Sequence, residues 1–158
     1  MKDIITCLWF DGQALEAARF YTSVFPDSRV LTQVDHPDNS PSAGNGDVMV
    51  VEFELGGRHF VGLNGGPAFA FTEAVSLQIM CEDQTEVDHY WEALTADGGQ
   101  EGQCGWLKDK YGLSWQVTPV ALTELLASAD AATAQRITAA FMPMKKLDIA
   151  TIEAAARG

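Results

Sequence analysis

The chain is poor in basic residues, in cysteine and in long apolar runs. Only 10 Lys and Arg stand against 22 Asp and Glu, so the net charge is -12 over 158 residues. Nucleic acids and anionic membranes are held mainly by Lys and Arg, so we expect neither as a partner. No apolar run approaches the ~20 residues of a membrane-spanning helix. The N-terminal sequence MKDIITCLWFDG lacks a signal-peptide pattern. We therefore expect a cytoplasmic protein.

Cysteine and histidine are equally sparse. The three cysteines, Cys7, Cys81 and Cys104, are an odd number without a CxxC motif, so neither a disulfide framework nor a cysteine zinc cluster is expected. The three histidines lie 23 and 30 residues apart, a spacing that matches no metal signature. We interpret them as structural or solvated residues.

What the sequence does contain is the pattern of an α+β domain. A strand at Ile4–Phe10 and a helix at Gln13–Val24 are followed by three strands, predicted at Arg29–Val34, Val48–Leu55 and Arg58–Leu63. The last two strands are joined at Gly56-Gly57, which is a hairpin signal. The polar segment His36–Gly46 is predicted to be a loop. The first module is therefore predicted as strand, helix, strand, strand, strand.

The same pattern then starts again. A second strand and helix are predicted at Val75–Met80 and Thr85–Leu94, followed by strands at Gly105–Asp109 and Ser114–Thr118. Thr6 lies 14 residues before Phe20-Tyr21, and Ser76 lies 14 residues before Tyr90-Trp91, which gives a repeat offset of 70. Paired modules create a cleft, so this repeat matters for function.

These patterns predict one compact domain with three parts, which are a first module over 1–66, a second over 67–119 and a helical tail over 120–158. The tail is rich in alanine, and its acidic and basic side chains balance. Its predicted helices are Leu122–Ala127, Ala131–Met142 and Asp148–Ala156, with a cap at Ser128-Ala129-Asp130. We expect the tail to serve as cover or in dimer packing.

Four stretches resemble a known family: LWFDGQALEAARFY, FVGLNGGP, CGWLKDKYGLSWQVTP and MKKLDIATIEAA. They are similar to the PhnB-like branch of the vicinal oxygen chelate superfamily, which includes glyoxalase I, extradiol dioxygenases and bleomycin-resistance proteins. Members of this branch often carry the label 3-demethylubiquinone-9 3-methyltransferase. The resemblance implies tandem βαβββ modules, a cleft between them and a homodimer.

The resemblance also implies positions for metal ligands, because the superfamily holds its metal with His, Glu or Gln on the first and last strand of each module. Carried over, those positions are Thr6, Asn64, Ser76 and Gln116. Neutral hydroxyl and amide groups are weak ligands for a divalent metal. We therefore expect no metal or other cofactor, and we assign these four residues to hydrogen bonding with a small polar ligand.

Three further residues are candidates for ligand contact. Trp9 and Trp115 lie on strands that are expected to border the cleft, although core packing is the ordinary role of large aromatics. Cys104 lies in CGWLKD near a cleft-lining strand, but no neighbouring positive charge in the sequence indicates a reactive thiol. Asn64-Gly65-Gly66 lacks the G-x-G-x-x-G spacing, so nothing here predicts a nucleotide-type cofactor such as S-adenosylmethionine.

Three functions remain open from the sequence. The first is a PhnB-like protein of unknown substrate that binds a small polar molecule without a catalytic metal, with turnover undecided. The second is a metal-dependent lyase, isomerase or dioxygenase, in which a divalent metal polarises the substrate and Gln116 remains as a ligand. The third is a non-catalytic sequestering protein of the bleomycin-resistance kind.

Overall fold

The computed structural model describes residues 4–37 and 48–158, and the chain divides into two compact units, residues 1–70 and 71–158. The predicted loop His36–Gly46 therefore falls outside the described residues, apart from its first two positions. None of the helices in the described part of the chain is long and apolar enough to span a membrane.

The first unit is a four-stranded sheet with one helix. Its elements are β1 (Thr6–Phe10), α1 (Ala14–Val24), β2 (Arg29–Asp35), β3 (Val48–Leu55) and β4 (Arg58–Asn64). The strand order is β1-β4-β3-β2, in which β1 and β4 are parallel and the other neighbours antiparallel.

The second unit repeats this topology and adds the tail. Its elements are β5 (Ser76–Cys81), α2 (Gln84–Thr95), a 3₁₀ turn (Ala96–Gly98), β6 (Gln100–Glu101), β7 (Trp106–Lys108), β8 (Ser114–Pro119), α3 (Val120–Ser128), α4 (Ala131–Phe141) and α5 (Ile149–Arg157). The strand order is β5-β8-β7-β6, with β5 and β8 parallel. The predicted tandem βαβββ fold with a helical tail is confirmed. The sequence did not predict β6, because two residues are too short to show alternation.

Aromatic packing fills the core of the first unit. The ring of Phe53 lies 6.3 Å from that of Tyr21 on α1 and stacks at 5.5 Å on that of Phe60. A Cβ atom at Gly62 would lie 2.9 Å from Val51 Cγ1 and 3.2 Å from Ala14 Cβ. A glycine and an alanine at this crossing therefore let α1 approach β3 and β4 closely.

In the second unit α2 buries Val87, Tyr90, Trp91 and Leu94. The tail has its own buried cluster, made by Leu122, Ile137, Leu147 and Ile152. Residues on α2 hold this tail in place. Gln84 accepts a hydrogen bond from Ile149 N (2.9 Å) and donates one to Leu147 O (3.1 Å).

Side-chain caps set the start of the last two helices. Asp130 accepts from Thr133 N at 2.8 Å, as the predicted cap requires, and Asp148 accepts from Thr151 N at 2.7 Å. These bonds hold the pKa of both carboxyls below their usual values.

Candidate functional site

Strand registry in the second sheet lines up polar side chains in rows. Ser76 pairs with Ser114, Ser114 with Lys108, and Lys108 with Gln100, so one row crosses all four strands. Directly paired residues point to the same face of a sheet, and residues two apart on one strand share that face. The first row therefore places two hydroxyls, an ammonium and an amide side by side.

A second row lies beside the first on the same face. Gln116 pairs with Gln78 on one side and with Trp106 on the other. Gln116 Nε2 donates to Ser76 Oγ at 2.8 Å, and Gln78 Nε2 donates to Thr118 Oγ1 at 3.0 Å. The structure thus brings together Ser76 and Gln116, two of the residues chosen from the sequence. We call this surface the polar face: Ser76, Gln78, Gln100, Trp106, Lys108, Ser114, Gln116 and Thr118.

The opposite face of the second sheet packs on α2. Cys81 lies on that face. Burial, together with the nearby carboxylates of Glu86 and Asp83, raises the pKa of its thiol to about 12. Trp115 shares this face, is 2% exposed, and donates from Nε1 to Asp109 Oδ2 at 2.8 Å. The side chain of Trp115 therefore lies on the other side of the sheet from Gln116, and ligand contact by Trp115 stays a prediction.

Asp109 is the polar centre of this helix-side face. It is 2% exposed, and its Oδ1 accepts from Tyr111 N (2.9 Å) and Leu113 N (3.1 Å) while Oδ2 accepts from Trp115. A buried carboxylate with this many donors fixes the turn between β7 and β8. That turn brings Lys108 and Ser114 opposite each other.

In the first unit the predicted pair Thr6 and Asn64 lies on the helix side. Thr6 pairs with Phe60, and Asn64 pairs with Phe10, at opposite ends of the two strands. Asn64 is 2% exposed; its Oδ1 accepts from Ala14 N at 2.9 Å and its Nδ2 donates to Val48 O at 2.7 Å. Both polar atoms of Asn64 are thus engaged with backbone groups.

The side chain of Asn64 caps the N-terminus of α1. Gln13, at the N-cap position of α1, makes no side-chain cap hydrogen bond. The first amides of a helix have no partner within the helix, and Asn64 supplies one from β4. Ligand binding by Thr6 and Asn64 stays a prediction. Their position on the helix side of the sheet does not support it.

Trp9 faces the other way and packs on the segment after β4. Its Nε1 donates to Gly66 O at 2.8 Å, and its ring meets that of Phe69 edge-on at 5.0 Å. A Cβ at Gly65 would lie 2.2 Å from the Trp9 ring, so only glycine fits there. This position makes Trp9 a support for residues 65–69, and ligand contact stays a prediction.

Cys104 joins the β6–β7 connection to the tail. Its φ of +57° is unusual for a residue other than glycine. Its N–H donates to Met144 O at 2.7 Å, and its thiol lies 3.3 Å from Met142 O. These contacts give Cys104 a role in anchoring the tail; its predicted contact with a ligand is not tested by them.

A pocket of about 190 Å³ opens at the edge of the polar face. Its lining consists of Glu73, Gln100, Glu101, Gly102, Trp106, Leu107, Lys108 and Ser114. Lys108 Nζ pairs with Glu73 Oε1 at 2.6 Å, and that bond holds the pKa of the Glu73 carboxyl below its usual value. Six residues of the polar face were not predicted from the sequence: Gln78, Gln100, Trp106, Lys108, Ser114 and Thr118. Counting in steps of two from Ser76 and Gln116 would have found Gln78, Ser114 and Thr118.

The donor chemistry of these residues does not fit a divalent metal. Ser76 and Gln116 are neutral and already bonded to each other, and Asn64 has committed both of its polar atoms. Within residues 4–37 and 48–158, no group of three or more His, Cys, Asp or Glu side chains is placed to hold a metal ion. His59 pairs instead with Glu52 at 3.1 Å.

A family model described as 3-demethylubiquinone-9 3-methyltransferase matches residues 2–118, which span both βαβββ modules. Among solved structures, the chain is similar to a putative 3-demethylubiquinone-9 3-methyltransferase, the PhnB protein of Bacillus cereus. The two share 35% identity over 75% of this chain and 100% of that one, with a TM-score of 0.69.

Two more distant structures share the fold. Protein PA1353 of Pseudomonas aeruginosa is 17% identical over 75% of this chain and 98% of its own, with a TM-score of 0.63. The fosfomycin resistance protein FosX of Mesorhizobium loti is 17% identical over 80% and 98%, with a TM-score of 0.58. No curated protein matches the chain.

Proposed function

Because the chain belongs to the 3-demethylubiquinone-9 3-methyltransferase family, we propose that it is a PhnB-like protein that binds a small polar molecule on the polar face of its second sheet, without a catalytic metal. The observation that carries the proposal is the pair Ser76 and Gln116. Both were selected from the sequence, and they are bonded at 2.8 Å within two registered rows of polar side chains.

The chemistry of the polar face favours a small guest with several hydrogen-bonding groups and at most one charge. Amide side chains and hydroxyls can each donate and accept hydrogen bonds. Apart from Lys108, the face carries no formal charge among its eight residues. Trp106 adds an apolar surface next to Gln116, which suits the usual mixture of apolar walls and a few polar anchors in a binding site.

The matched family description names methyl transfer, and we propose that this chain does not use S-adenosylmethionine. That cofactor usually meets a glycine-rich turn between a strand and a helix of a parallel sheet. Here the two such turns, Asp11-Gly12-Gln13 and Glu82-Asp83, hold one glycine between them. Calorimetric titration with S-adenosylmethionine is expected to give no heat of binding; saturable binding would contradict this.

The experiment that tests the main proposal is native mass spectrometry of freshly purified protein, with and without added Zn, Mn or Ni. We expect a metal-free protein that retains a metabolite from cell extract, and loss of that metabolite in Gln116→Leu. The matched control is Gln135→Leu, at an exposed position of α4. About one metal ion per chain that survives dilution would favour the metal-dependent lyase, isomerase or dioxygenase instead.

Turnover separates the remaining alternatives. Incubating the recovered metabolite with the protein and following it by chromatography yields a product if the protein is an enzyme. Tight binding with no product would favour a sequestering protein of the bleomycin-resistance kind. The same native spectra report subunit number, for which we propose a homodimer, and a monomer would overturn that part.

A further inference from the structure

We infer that the pocket beside Ser114 and Lys108 binds the carboxylate of a small organic acid, with one oxygen on the Lys108 ammonium and the other on the Ser114 hydroxyl. This inference rests on the proposed function, since it assigns the charged end of the ligand that the polar face would hold. It adds the chemical class of that ligand.

The first observation is Ser114. Its side chain is 0% exposed, and its Oγ has no hydrogen-bond partner in the part of the chain that the structure describes. A buried polar atom without a partner carries a free-energy penalty, so native proteins seldom keep one without a reason. Ser114 lines the pocket, and a guest there can supply the missing partner.

The second observation is the neighbour of Ser114 across the sheet. Lys108 pairs directly with Ser114 in the registry of β7 and β8, on the same face. Side chains at directly opposed positions lie close together. An ammonium and a hydroxyl donor next to each other match the two oxygens of a carboxylate.

The third observation is that a carboxylate of the chain already occupies this ammonium. Glu73 lies 2.6 Å from Lys108 Nζ, with 64% of its side chain exposed against 33% for Lys108. Exposed ion pairs add little stability, so an external carboxylate can replace Glu73 at low cost. The incoming group has the advantage of reaching Ser114 as well.

The other charges at the pocket are compatible with an anion. Glu101 accepts from Trp91 Nε1 and from Lys145 Nζ, both at 3.0 Å, so Lys145 balances its charge. Trp106 provides the wall for the apolar part of the ligand. A volume of about 190 Å³ limits that part to roughly one ring or a short chain.

The test uses the indole Nε1–H signal of Trp106 in ¹⁵N-correlated NMR spectra of the full chain, assigned with Trp106→Phe. Benzoate, benzamide and benzylamine serve as an anionic, a neutral and a cationic probe of one shape. We expect saturable shifts with benzoate and at least about tenfold weaker binding of the other two, as the loss of a charged hydrogen bond implies.

Three variants and one control locate the binding. Lys108→Met and Ser114→Ala should each weaken benzoate binding by about fivefold or more, and Glu73→Gln should strengthen it by about threefold because a competitor is removed. Lys110→Met, two residues from Lys108 and outside the pocket lining, should change nothing. Ser114→Ala should keep or raise the melting temperature, because the hydroxyl that it removes has no hydrogen-bond partner among the described residues.

The inference is overturned if benzylamine binds as well as benzoate, or if Glu73→Gln weakens benzoate binding. It is also overturned if Ser114→Ala leaves that binding unchanged. If benzoate does not bind but Gln116→Leu still abolishes retention of the metabolite, the proposed function stands and only the carboxylate assignment is wrong. If benzoate does not bind and Gln116→Leu also leaves metabolite retention unchanged, the proposed function is wrong as well.

Discussion

The two sheets share one topology but use their faces differently. In the first, the polar residue Asn64 lies on the helix side and bonds to the backbone at the start of α1. In the second, the helix side holds Asp109 with Trp115, and the opposite face carries the rows of amides and hydroxyls. The first sheet thus uses Asn64 to cap its helix, whereas the second carries amides and hydroxyls on the face opposite its helix.

A shift of one residue produces the difference. The helices repeat at an offset of 70, since Tyr21 and Trp91 are both buried. The strands do not, because Leu8 lies on the helix side whereas Gln78, 70 residues later, lies on the polar face. A slip of one residue turns every side chain of a strand to the other face, so a repeat read from sequence spacing cannot assign faces.

The largest effect expected from this comparison is at Asp109. Asp109→Ala removes the acceptor for Trp115 and for two backbone amides, and should lower the free energy of unfolding by about 4 kcal/mol. Urea denaturation followed by circular dichroism measures it. Glu124→Ala, at an exposed position of α3, is the control. If Asp109→Ala lowered the free energy of unfolding no more than the control does, the hydrogen bonds of Asp109 would not stabilise the helix side of the second sheet.

The next effect is at Asn64. Asn64→Ala leaves Ala14 N–H and Val48 C=O without their partner and should cost about 3 kcal/mol in urea unfolding. Gln13→Ala should cost little, since Gln13 makes no side-chain cap bond. If the Gln13 variant were the less stable of the two, the cap would not come from β4, and the contrast between the sheets would fail.

A smaller effect is expected on the polar face. Gln116→Leu removes one side-chain hydrogen bond from a half-buried position and should change stability by at most about 1 kcal/mol. The same variant should abolish retention of the bound metabolite. Thermal unfolding and native mass spectrometry test the two parts together. A stability loss as large as that of Asn64→Ala would make Gln116 a structural residue like Asn64.

The smallest effect concerns the tail, which only the second unit has. Lys146 and Gln84 hold the pKa of the Asp88 carboxyl below its ordinary value of 3.8. A carboxyl with a lowered folded-state pKa adds stability near neutral pH, and that contribution disappears as the pH falls through the folded-state pKa. Asp88→Asn should therefore lower the melting temperature near pH 7, and the difference should shrink below about pH 4.

Glu124→Gln on α3 is the matched change for that series, since no lysine or arginine pairs with it among the ion pairs of the described residues. If the melting temperature of Asp88→Asn stayed equally far below that of the unmodified protein at low pH, the ion pair between Asp88 and Lys146 would not be the interaction that stabilises the tail.

Much of the fold was predictable because its signals are local. The bounds of Val48–Leu55 were predicted residue for residue, since apolar and polar residues alternate from Val51 to Leu55 and Gly56-Gly57 marks the turn that ends the strand. The PhnB-like assignment and the tandem module fold are confirmed. The two-residue strand β6 had no such signal, and the ends of most other elements moved by one or two residues.

The site was less predictable because its geometry depends on distant partners. Ser76 and Gln116 meet through strands 40 residues apart, and a correct register for both was needed to place them. Thr6 and Asn64 were chosen by the same reasoning. Their strands are offset by one residue from those of the second module, so these two residues lie on the helix side of the sheet. The pairing of Lys108 with Glu73 joins a strand to the segment before β5, which no periodicity describes. The ligand-contact assignments from the sequence remain predictions.

The Asn64 cap also has a kinetic consequence. The acceptor for the first amide of α1 arrives from a residue 50 positions later in the chain. The beginning of this helix therefore cannot be capped until β4 has paired with β1. Closing a loop of that length costs chain entropy before the cap can form. During refolding, the first turn of α1 should become protected from hydrogen exchange together with the β1–β4 pair and later than the rest of the helix.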